Sequence, residues 1–312
     1  MLLSIKPGPL AQNNYTGFVC LQTWEEHHGS VYALCLSTDD RYLFSWSLDE
    51  TLKIWELATG KCVQTWPQMA RVNFITVTPH GDRLITASWD ESIKFWDLAT
   101  GNYLQTLTTQ DGEPAIASAV VLTPNGQLLV SGGWDKQIRV WDMTTGLCLR
   151  VLSGHTGDIN SLVLTADGEY LISSSWDSTM RCWELATGDC LRILKSHSQQ
   201  FDYTAIASNS RWLAATSKQK ALTIWDLHRG KCLKTVRGHS QEITGVKITP
   251  DNKAIITASW DKTLRFWSPQ GDCFAILEGH QGRIWSMAMT KNGKRLISGS
   301  QDKTIKIWGL PE

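Results

Sequence analysis

The chain has 312 residues, and its 30 lysines and arginines balance 30 aspartates and glutamates, so the formal net charge is zero. This balance counts against bulk electrostatic binding to nucleic acid or anionic lipid. There is no run of 18 apolar residues, and the apolar part of the opening MLLSIKPGPLAQNNYTG is too short for a secretory signal, so neither a membrane span nor export is expected. Eight cysteines without a close CxxC pair indicate neither zinc nor redox chemistry, and we expect no metal and no cofactor.

Short segments that contain a tryptophan at the end of a predicted strand recur along the chain, about 41 to 45 residues apart. They read LKIWEL, IKFWDL, IRVWDM, MRCWEL, LTIWDL, LRFWSP and IKIWGL. Between them recur a glycine turn, such as ATGKC, and a strand–turn–strand pattern, such as TPHGDRLITAS. Each period therefore contains four short strands and no helical pattern. Consecutive apolar residues in the second strand predict sheets that are covered on both faces.

Two dipeptides at fixed places in these periods carry a family resemblance. A Gly-His dipeptide precedes the predicted first strand of a period in Gly154-His155, Gly238-His239 and Gly279-His280. A Trp-Asp dipeptide ends the strand that carries the recurring tryptophan in Trp96-Asp97, Trp141-Asp142 and Trp225-Asp226. With these dipeptides the chain resembles the WD40 repeat family over about residues 17–312. The resemblance implies an all-β fold, a seven-bladed β-propeller of four-stranded antiparallel blades.

The seventh period lacks an outer strand, since the sequence stops at KIWGLPE. The segment CLQTW at residues 20–24 matches the outer-strand segment CVQTW at residues 62–66. We therefore expect the N-terminal strand to join the last blade and close the ring, because an open ring would leave unpaired strand edges. Residues 1–16 are then an N-terminal extension, and residues 17–312 form one monomeric propeller.

Four periods carry a histidine, a hydroxyl residue, an aspartate and the strand tryptophan at matching positions. The sets are His27, Ser45, Asp49 and Trp55; His155, Ser173, Asp177 and Trp183; His239, Thr257, Asp261 and Trp267; and His280, Ser298, Asp302 and Trp308. Serine, histidine and aspartate also suit a hydrolase, but an enzyme needs one such site and not four. The resemblance implies instead a structural hydrogen-bond chain from the aspartate through the histidine and hydroxyl to the indole.

The other three periods depart from this pattern. The second and third lack the histidine, and the fifth has Ala215 and Gln219 in place of the hydroxyl and the aspartate. We expect these three blades to be less firmly held.

Cysteine recurs at one position of the predicted outer strand, where it suits a small apolar residue better than thiol chemistry. The residues are Cys20, Cys62, Cys148, Cys190, Cys232 and Cys273. Sheets stack about 10 Å apart, which is too far for a disulfide between equivalent positions of adjacent blades. Unpaired thiols indicate a reducing compartment, so we expect an intracellular and cytoplasmic protein.

The turn after the second strand often holds a tryptophan, where a small polar residue is usual. These residues are Trp89, Trp134, Trp176 and Trp260, and Lys218 takes the position in the fifth period. By the resemblance this turn lies on the top face, around the mouth of the channel. The second residue of the innermost strand lies there too, and includes Tyr32, Asp202 and Trp285.

These aromatic residues have two interpretations. Exposed aromatic side chains with few polar groups between them are typical of a binding surface. Alternatively, the tryptophans were copied with each repeat and pack against the neighbouring blade. Trp285 favours binding, because its position is not aromatic in most periods. Trp46, at a position of small residues, either fills a gap or joins the top-face group.

The sequence as a whole predicts a non-catalytic scaffold or recognition module that binds a protein or peptide segment on an aromatic top face. A structural or regulatory propeller domain of a larger protein, without a small-site ligand, is the alternative. An enzyme is disfavoured because no cluster of His, Asp or Glu stands outside the repeats. Nucleic-acid binding by stacking on the tryptophans is disfavoured by the neutral charge.

Overall fold

The computed structural model describes residues 14–67, 71–88, 92–109, 112, 115, 117–196 and 200–311. Within these ranges the chain forms 28 strands in seven four-stranded antiparallel sheets, and no residue there is helical. Accordingly, this part of the chain contains no helix that could cross a membrane. The prediction of an all-β fold with seven blades of four strands is confirmed.

Blades one to three each consist of four consecutive strands, which follow one another from the channel outwards. Blade one contains β2 (Val31–Leu36), β3 (Tyr42–Ser47), β4 (Leu52–Glu56) and β5 (Cys62–Trp66). Blade two contains β6 (Val72–Val77), β7 (Arg83–Ser88), β8 (Ile93–Asp97) and β9 (Tyr103–Leu107). Blade three contains β10 (Ala119–Leu122), β11 (Leu128–Gly132), β12 (Ile138–Asp142) and β13 (Cys148–Leu152).

Blades four to six repeat this order. Blade four contains β14 (Ile159–Leu164), β15 (Tyr170–Ser175), β16 (Thr179–Glu184) and β17 (Cys190–Lys195). Blade five contains β18 (Phe201–Ile206), β19 (Trp212–Ser217), β20 (Ala221–Asp226) and β21 (Lys231–Arg237). Blade six contains β22 (Ile243–Ile248), β23 (Ile255–Ser259), β24 (Leu264–Trp267) and β25 (Cys273–Leu277).

Blade seven joins the two ends of the described chain. Its strands are β26 (Ile284–Met289), β27 (Arg295–Ser300), β28 (Ile305–Gly309) and, outermost, β1 (Val19–Trp24). Strand β1 pairs antiparallel with β28, so that Cys20 lies opposite Trp308 and Trp24 opposite Ile305. Strand β26 in turn contacts β2 of blade one. The ring is therefore closed by the N-terminal strand, as the repeat pattern predicts.

The second strand of a blade is buried along most of its length, because a neighbouring sheet covers each of its faces. In β3, β7, β15, β19 and β27 one partly buried residue is followed by five buried ones. The stacking is tight where these strands end. A Cβ added at Gly132 would lie 2.7 Å from Ile159 of the next blade, and one at Gly299 would lie 2.7 Å from Val31.

The chain before β1 also packs into the ring. Tyr15, inside the segment predicted as an extension, is only 5% exposed and stacks on Phe266 of blade six with ring centroids 5.6 Å apart. Phe18 contacts both rings edge-on. The closing strand is therefore held by apolar packing on blade six as well as by its ladder on blade seven.

Removal of residues 1–24 should open the ring. Without β1 the edge of β28 is unpaired and the packing of Tyr15 and Phe18 is lost, so we expect a lower melting temperature and aggregation. A protein that lacks only residues 1–13 is the matched control, and its melting temperature should equal that of the full chain. Thermal melts with light scattering compare the three proteins, and a monomeric 1–24 deletion that melts with the full chain would show that β1 does not close the ring.

Candidate functional site

The predicted tetrads are four nearly identical hydrogen-bond chains in blades one, four, six and seven. In each, the histidine Nδ1 lies 2.7–2.9 Å from the aspartate Oδ2, and its Nε2 lies 2.7 Å from the hydroxyl. The indole Nε1 of the strand tryptophan donates to the same hydroxyl at 2.8 Å. The sets are His27, Ser45, Asp49 and Trp55; His155, Ser173, Asp177 and Trp183; His239, Thr257, Asp261 and Trp267; and His280, Ser298, Asp302 and Trp308.

A threonine completes each of these chains, and it was not predicted from the sequence. Its hydroxyl donates to the aspartate Oδ1 at 2.6–2.7 Å, and its backbone N–H donates to the same oxygen. The residues are Thr51, Thr179, Thr263 and Thr304. The signal was an Asp-x-Thr spacing at the turn between the second and third strands, where these four periods have it and the other three do not.

The carboxylates of these chains are held in the ionised form. Burial raises the pKa of Asp49, Asp177, Asp261 and Asp302, but the hydrogen bonds from the threonine, the histidine and a backbone N–H outweigh burial, and the pKa lies below its usual range. Burial also lowers the pKa of His27. The neutral imidazole of His27 thus donates from Nδ1 to Asp49 and accepts at Nε2 from Ser45.

These groups are not arranged for nucleophilic catalysis. Ser45, Ser173 and Ser298 are completely buried, and each hydroxyl oxygen already faces an imidazole and an indole N–H. A substrate carbonyl cannot reach such an oxygen. Among the described residues there is also no group of three His, Cys, Asp or Glu that could hold a metal ion. The tetrads fix each turn to its strands.

Blades two and three lack the histidine but keep the hydroxyl that accepts the indole N–H of the strand tryptophan. In blade two, Trp96 donates to Thr86 at 3.0 Å, while Asp90 lies outside the described residues. In blade three, Asp135 pairs at 2.5 Å with Arg139 in place of a histidine. In blade three, Arg139 thus gives Asp135 the partner that the histidine gives the aspartate in the tetrads.

Blade five uses a hydroxyl from a different strand. Thr223 of β20 accepts the indole N–H of Trp225 at 2.9 Å and donates to the carbonyl of Ala215 at 3.0 Å. In the other six blades this position holds lysine or arginine, so an isolated threonine was the available signal. His197 of this period lies outside the described residues.

The top face is the edge of the ring at which the innermost strands begin and the turns between second and third strands lie. There Trp260, Trp285 and Tyr32 form a continuous row across blades six, seven and one, which we call the aromatic row. The rings of Trp260 and Trp285 meet edge-to-face at 5.5 Å, and Trp285 stacks on Tyr32 at 4.5 Å. All three side chains are partly exposed. Trp46, 1% exposed, touches Tyr32 edge-on and supports the row from inside.

A second group lies between blades four and five. The indole N–H of Trp176 donates to Asp202 Oδ1 at 3.0 Å, and the Nζ of Lys218 lies 3.5 Å from the centre of the indole ring. Burial raises the pKa of Asp202 to about 6, although the hydrogen bond from Trp176 and the charge of Lys218 lower it. Trp176 thus contacts both of the other predicted residues, Asp202 and Lys218.

The other turn tryptophans differ in environment. Trp134 is 44% exposed, and Trp89 lies outside the described residues. Trp176 and Trp260 instead lie across the junction to the following blade. Trp176 and Trp260 therefore pack on the neighbouring blade, which is one of the two interpretations of the sequence. Both side chains are also partly exposed, as the other interpretation expects.

The residue at or just before the second position of the innermost strand has a bridging role that was not predicted from the sequence. In three blades its side chain donates to the first carbonyl of the next blade's innermost strand. The bonds run from Ser118 to Ile159 at 2.5 Å, from Asn160 to Phe201 at 3.1 Å and from Thr244 to Ile284 at 2.7 Å. Where that position is aromatic, as in Trp285 and Tyr32, the blades are joined by ring contacts.

Replacing Thr223 with valine should destabilise the protein, because it keeps the shape but leaves the buried Trp225 N–H without an acceptor. We expect a loss of about 1–3 kcal/mol in the free energy of unfolding. Thr235→Val, on the exposed outer strand, is the control and should change it by less than about 0.5 kcal/mol. Urea unfolding measures both, and equal losses would contradict this role for Thr223.

Replacing Asp202 with asparagine should stabilise the protein in a pH-dependent way. The pKa of Asp202 is about 6 in the folded state and about 3.9 in an unfolded chain. Folded wild-type protein therefore loses stability as pH rises from about 4 through 6, while the variant does not. The stability difference, from urea unfolding between about pH 4 and 8, should grow over that interval and then level off. A constant difference would show that the carboxyl group has an ordinary pKa.

Comparison with known proteins agrees with this architecture. The family model described as WD domain, G-beta repeat matches residues 18–56, 60–97, 101–142, 146–184, 188–226, 230–268 and 271–309. Each matched segment spans the outer strand of one blade and the first three strands of the next.

Three curated relatives illustrate the similarity. Nuclear distribution protein PAC1 of Candida glabrata is 42% identical over 76 residues, which is 24% of this chain and 16% of that protein. Eukaryotic translation initiation factor 3 subunit I of Aspergillus oryzae is 29% identical over 68 residues, 22% of this chain and 20% of that protein. Ribosome biogenesis protein BOP1 homolog of Oryza sativa subsp. japonica is 32% identical over 69 residues, 22% of this chain and 10% of that protein.

The matches span a fifth or less of the length of these relatives. The family model, in contrast, covers most of the chain, in seven copies whose period is that of the seven blades. The chain belongs to the WD40 repeat family.

Proposed function

We propose that this propeller is a non-catalytic module that binds a peptide segment of a partner protein on its top face. The observation that carries the proposal is the aromatic row of Trp260, Trp285 and Tyr32. Its rings are partly exposed, contact one another in succession and rest on the buried Trp46. Tryptophan and tyrosine are the residues most enriched in binding hot spots.

Rigidity of the row supports this function. Each ring is held by its neighbour at a favourable stacked or edge-to-face geometry, on strands whose positions are set by the closed ring. Such side chains lose little conformational entropy when a ligand covers them, so more of the contact energy contributes to affinity. A peptide offers both the apolar side chains that aromatic rings pack against and the backbone groups that the surrounding polar residues can bond.

The named relatives fit a protein partner inside the cell. One is called a subunit of a translation initiation factor, and others are named for nuclear distribution and ribosome biogenesis. We extend to this chain the general role of a part in a larger protein assembly. All eight cysteines are unpaired, which agrees with an intracellular, cytoplasmic location.

Selection from a displayed library of random 12-residue peptides tests the proposal. Peptides enriched on the full chain are synthesised and their affinities are measured for wild type and for two variants, Trp134→Ala and Trp285→Ala. Truncation of a hot-spot aromatic residue costs about 2–4 kcal/mol of binding, so at least one variant should lose most of its affinity. Trp134→Ala should keep its melting temperature, because the side chain is 44% exposed.

Two controls make the result specific to this face. Leu149→Ala, on the outer strand of blade three where the side chain is 48% exposed, should leave peptide affinity unchanged. A random single-stranded RNA pool is selected in parallel over a range of salt concentrations. Steeply salt-dependent RNA binding, with no enriched peptide, would favour a nucleic-acid partner over the proposed one.

A further inference from the structure

A cleft of about 460 Å³ lies beside the aromatic row, between blades six and seven. We call it the blade six–seven cleft. Its lining includes Trp260, Lys262, Arg283 and the three glutamines Gln241, Gln281 and Gln301. The polar residues are exposed, so the cleft is open to a ligand from the top face.

The cleft carries two positive charges that have no ion-pair partner in the part of the chain that the structure describes. Within the described ranges, neither the Arg283 guanidinium nor the Lys262 ammonium has a carboxylate at ion-pair distance. The carboxylate among the lining residues is Asp261. It already accepts hydrogen bonds from His239, Ser240 and Thr263, and these bonds hold it inside the tetrad of blade six.

Arg283 is positioned for binding by Trp260. Its guanidinium carbon lies over the indole ring, 4.4 Å from the ring centre, so a cation–π contact holds the side chain at the cleft. A guanidinium group held in this way can still form paired N–H bonds to a carboxylate. The neighbouring glutamine amides supply donors and acceptors that match a peptide backbone.

The junction between blades four and five shows the same elements in a complete form. There a cation, Lys218, lies over the ring of Trp176, and the carboxylate of Asp202 accepts the indole N–H. In the blade six–seven cleft the cation and the tryptophan are present, but no carboxylate of the described residues pairs with Arg283. A carboxylate supplied by a ligand would complete the set at the exposed guanidinium.

We infer that the blade six–seven cleft binds an acidic segment of the partner protein, with an aspartate or glutamate carboxylate seated on Arg283 and Lys262. The inference rests on the proposed peptide-binding function and names the chemistry of its ligand. The carboxylate pairs with both cations and offsets one of the two charges, and the rest of the segment runs over the aromatic row. The cleft thus adds sequence preference to a face that otherwise offers apolar contact.

The test uses the peptides selected on the full wild-type chain. They should contain more aspartate and glutamate than the library, and replacing the key acid with its amide should weaken binding about ten- to hundredfold. Arg283→Gln should cause a similar loss of affinity for the unchanged peptide. The amide peptide should bind Arg283→Gln no more weakly than either change alone predicts, because both changes remove the same contact. Lys262→Gln should weaken binding as well, whereas Lys136→Gln removes the same charge at the equivalent turn position of blade three and should have no effect.

The outcomes separate this inference from the proposed function. If selection enriches no peptide, the proposed function fails and the inference fails with it. If the enriched peptides lack acids, or bind Arg283→Gln as tightly as wild type, the acidic ligand is wrong while peptide binding stands. A phosphoserine that binds more than about tenfold tighter than the carboxylate in the same peptide would overturn the choice of ligand. Equal melting temperatures of wild type and Arg283→Gln establish that the variant is folded.

Discussion

The top face exists in its observed form because β1 pairs with β28. This pairing closes the ring, and the closed ring places blade seven against blade one, where the backbone N–H of Leu34 donates to the hydroxyl of Ser286 at 3.2 Å. The aromatic row crosses that seam, since Tyr32 belongs to blade one and Trp285 to blade seven. A gap at the seam would separate these two stacked rings. The strand ladder at the outer rim therefore controls the geometry of a surface at the channel mouth.

Within each blade a smaller constraint recurs, which is the need of a buried indole N–H for an acceptor. Four blades meet it with the histidine–aspartate chain and its added threonine, blades two and three with the hydroxyl alone, and blade five with Thr223. The acceptor can come from either of two strands because both point a side chain toward the same ring. This freedom explains how the repeats diverge while the strand tryptophan stays bonded.

The fold could be predicted from the sequence because its information is periodic. The spacing of the strand tryptophans defines the blades, and one displaced outer-strand segment identifies the closing strand. The site is less predictable because its contacts join different periods. Tyr32 and Trp285 were each identified, but their stacking depends on the closed ring. The position of Arg283 over Trp260 depends on how the side chains of two blades pack, and Thr223 is a substitute visible only once its bond to Trp225 is known.

Closure has a consequence for how the protein is made. About 280 residues separate Trp24 from its partner Ile305, so β1 leaves the ribosome long before the strand that completes its ladder. At roughly 5–20 residues per second, this interval is on the order of 15 to 55 s. Throughout it the strand is an unpaired segment with an available edge, and the six complete blades can form while it waits. The first of the described strands to be made is thus the last to find its place, and until then the nascent propeller is open to mispairing, or to chaperone binding, at β1.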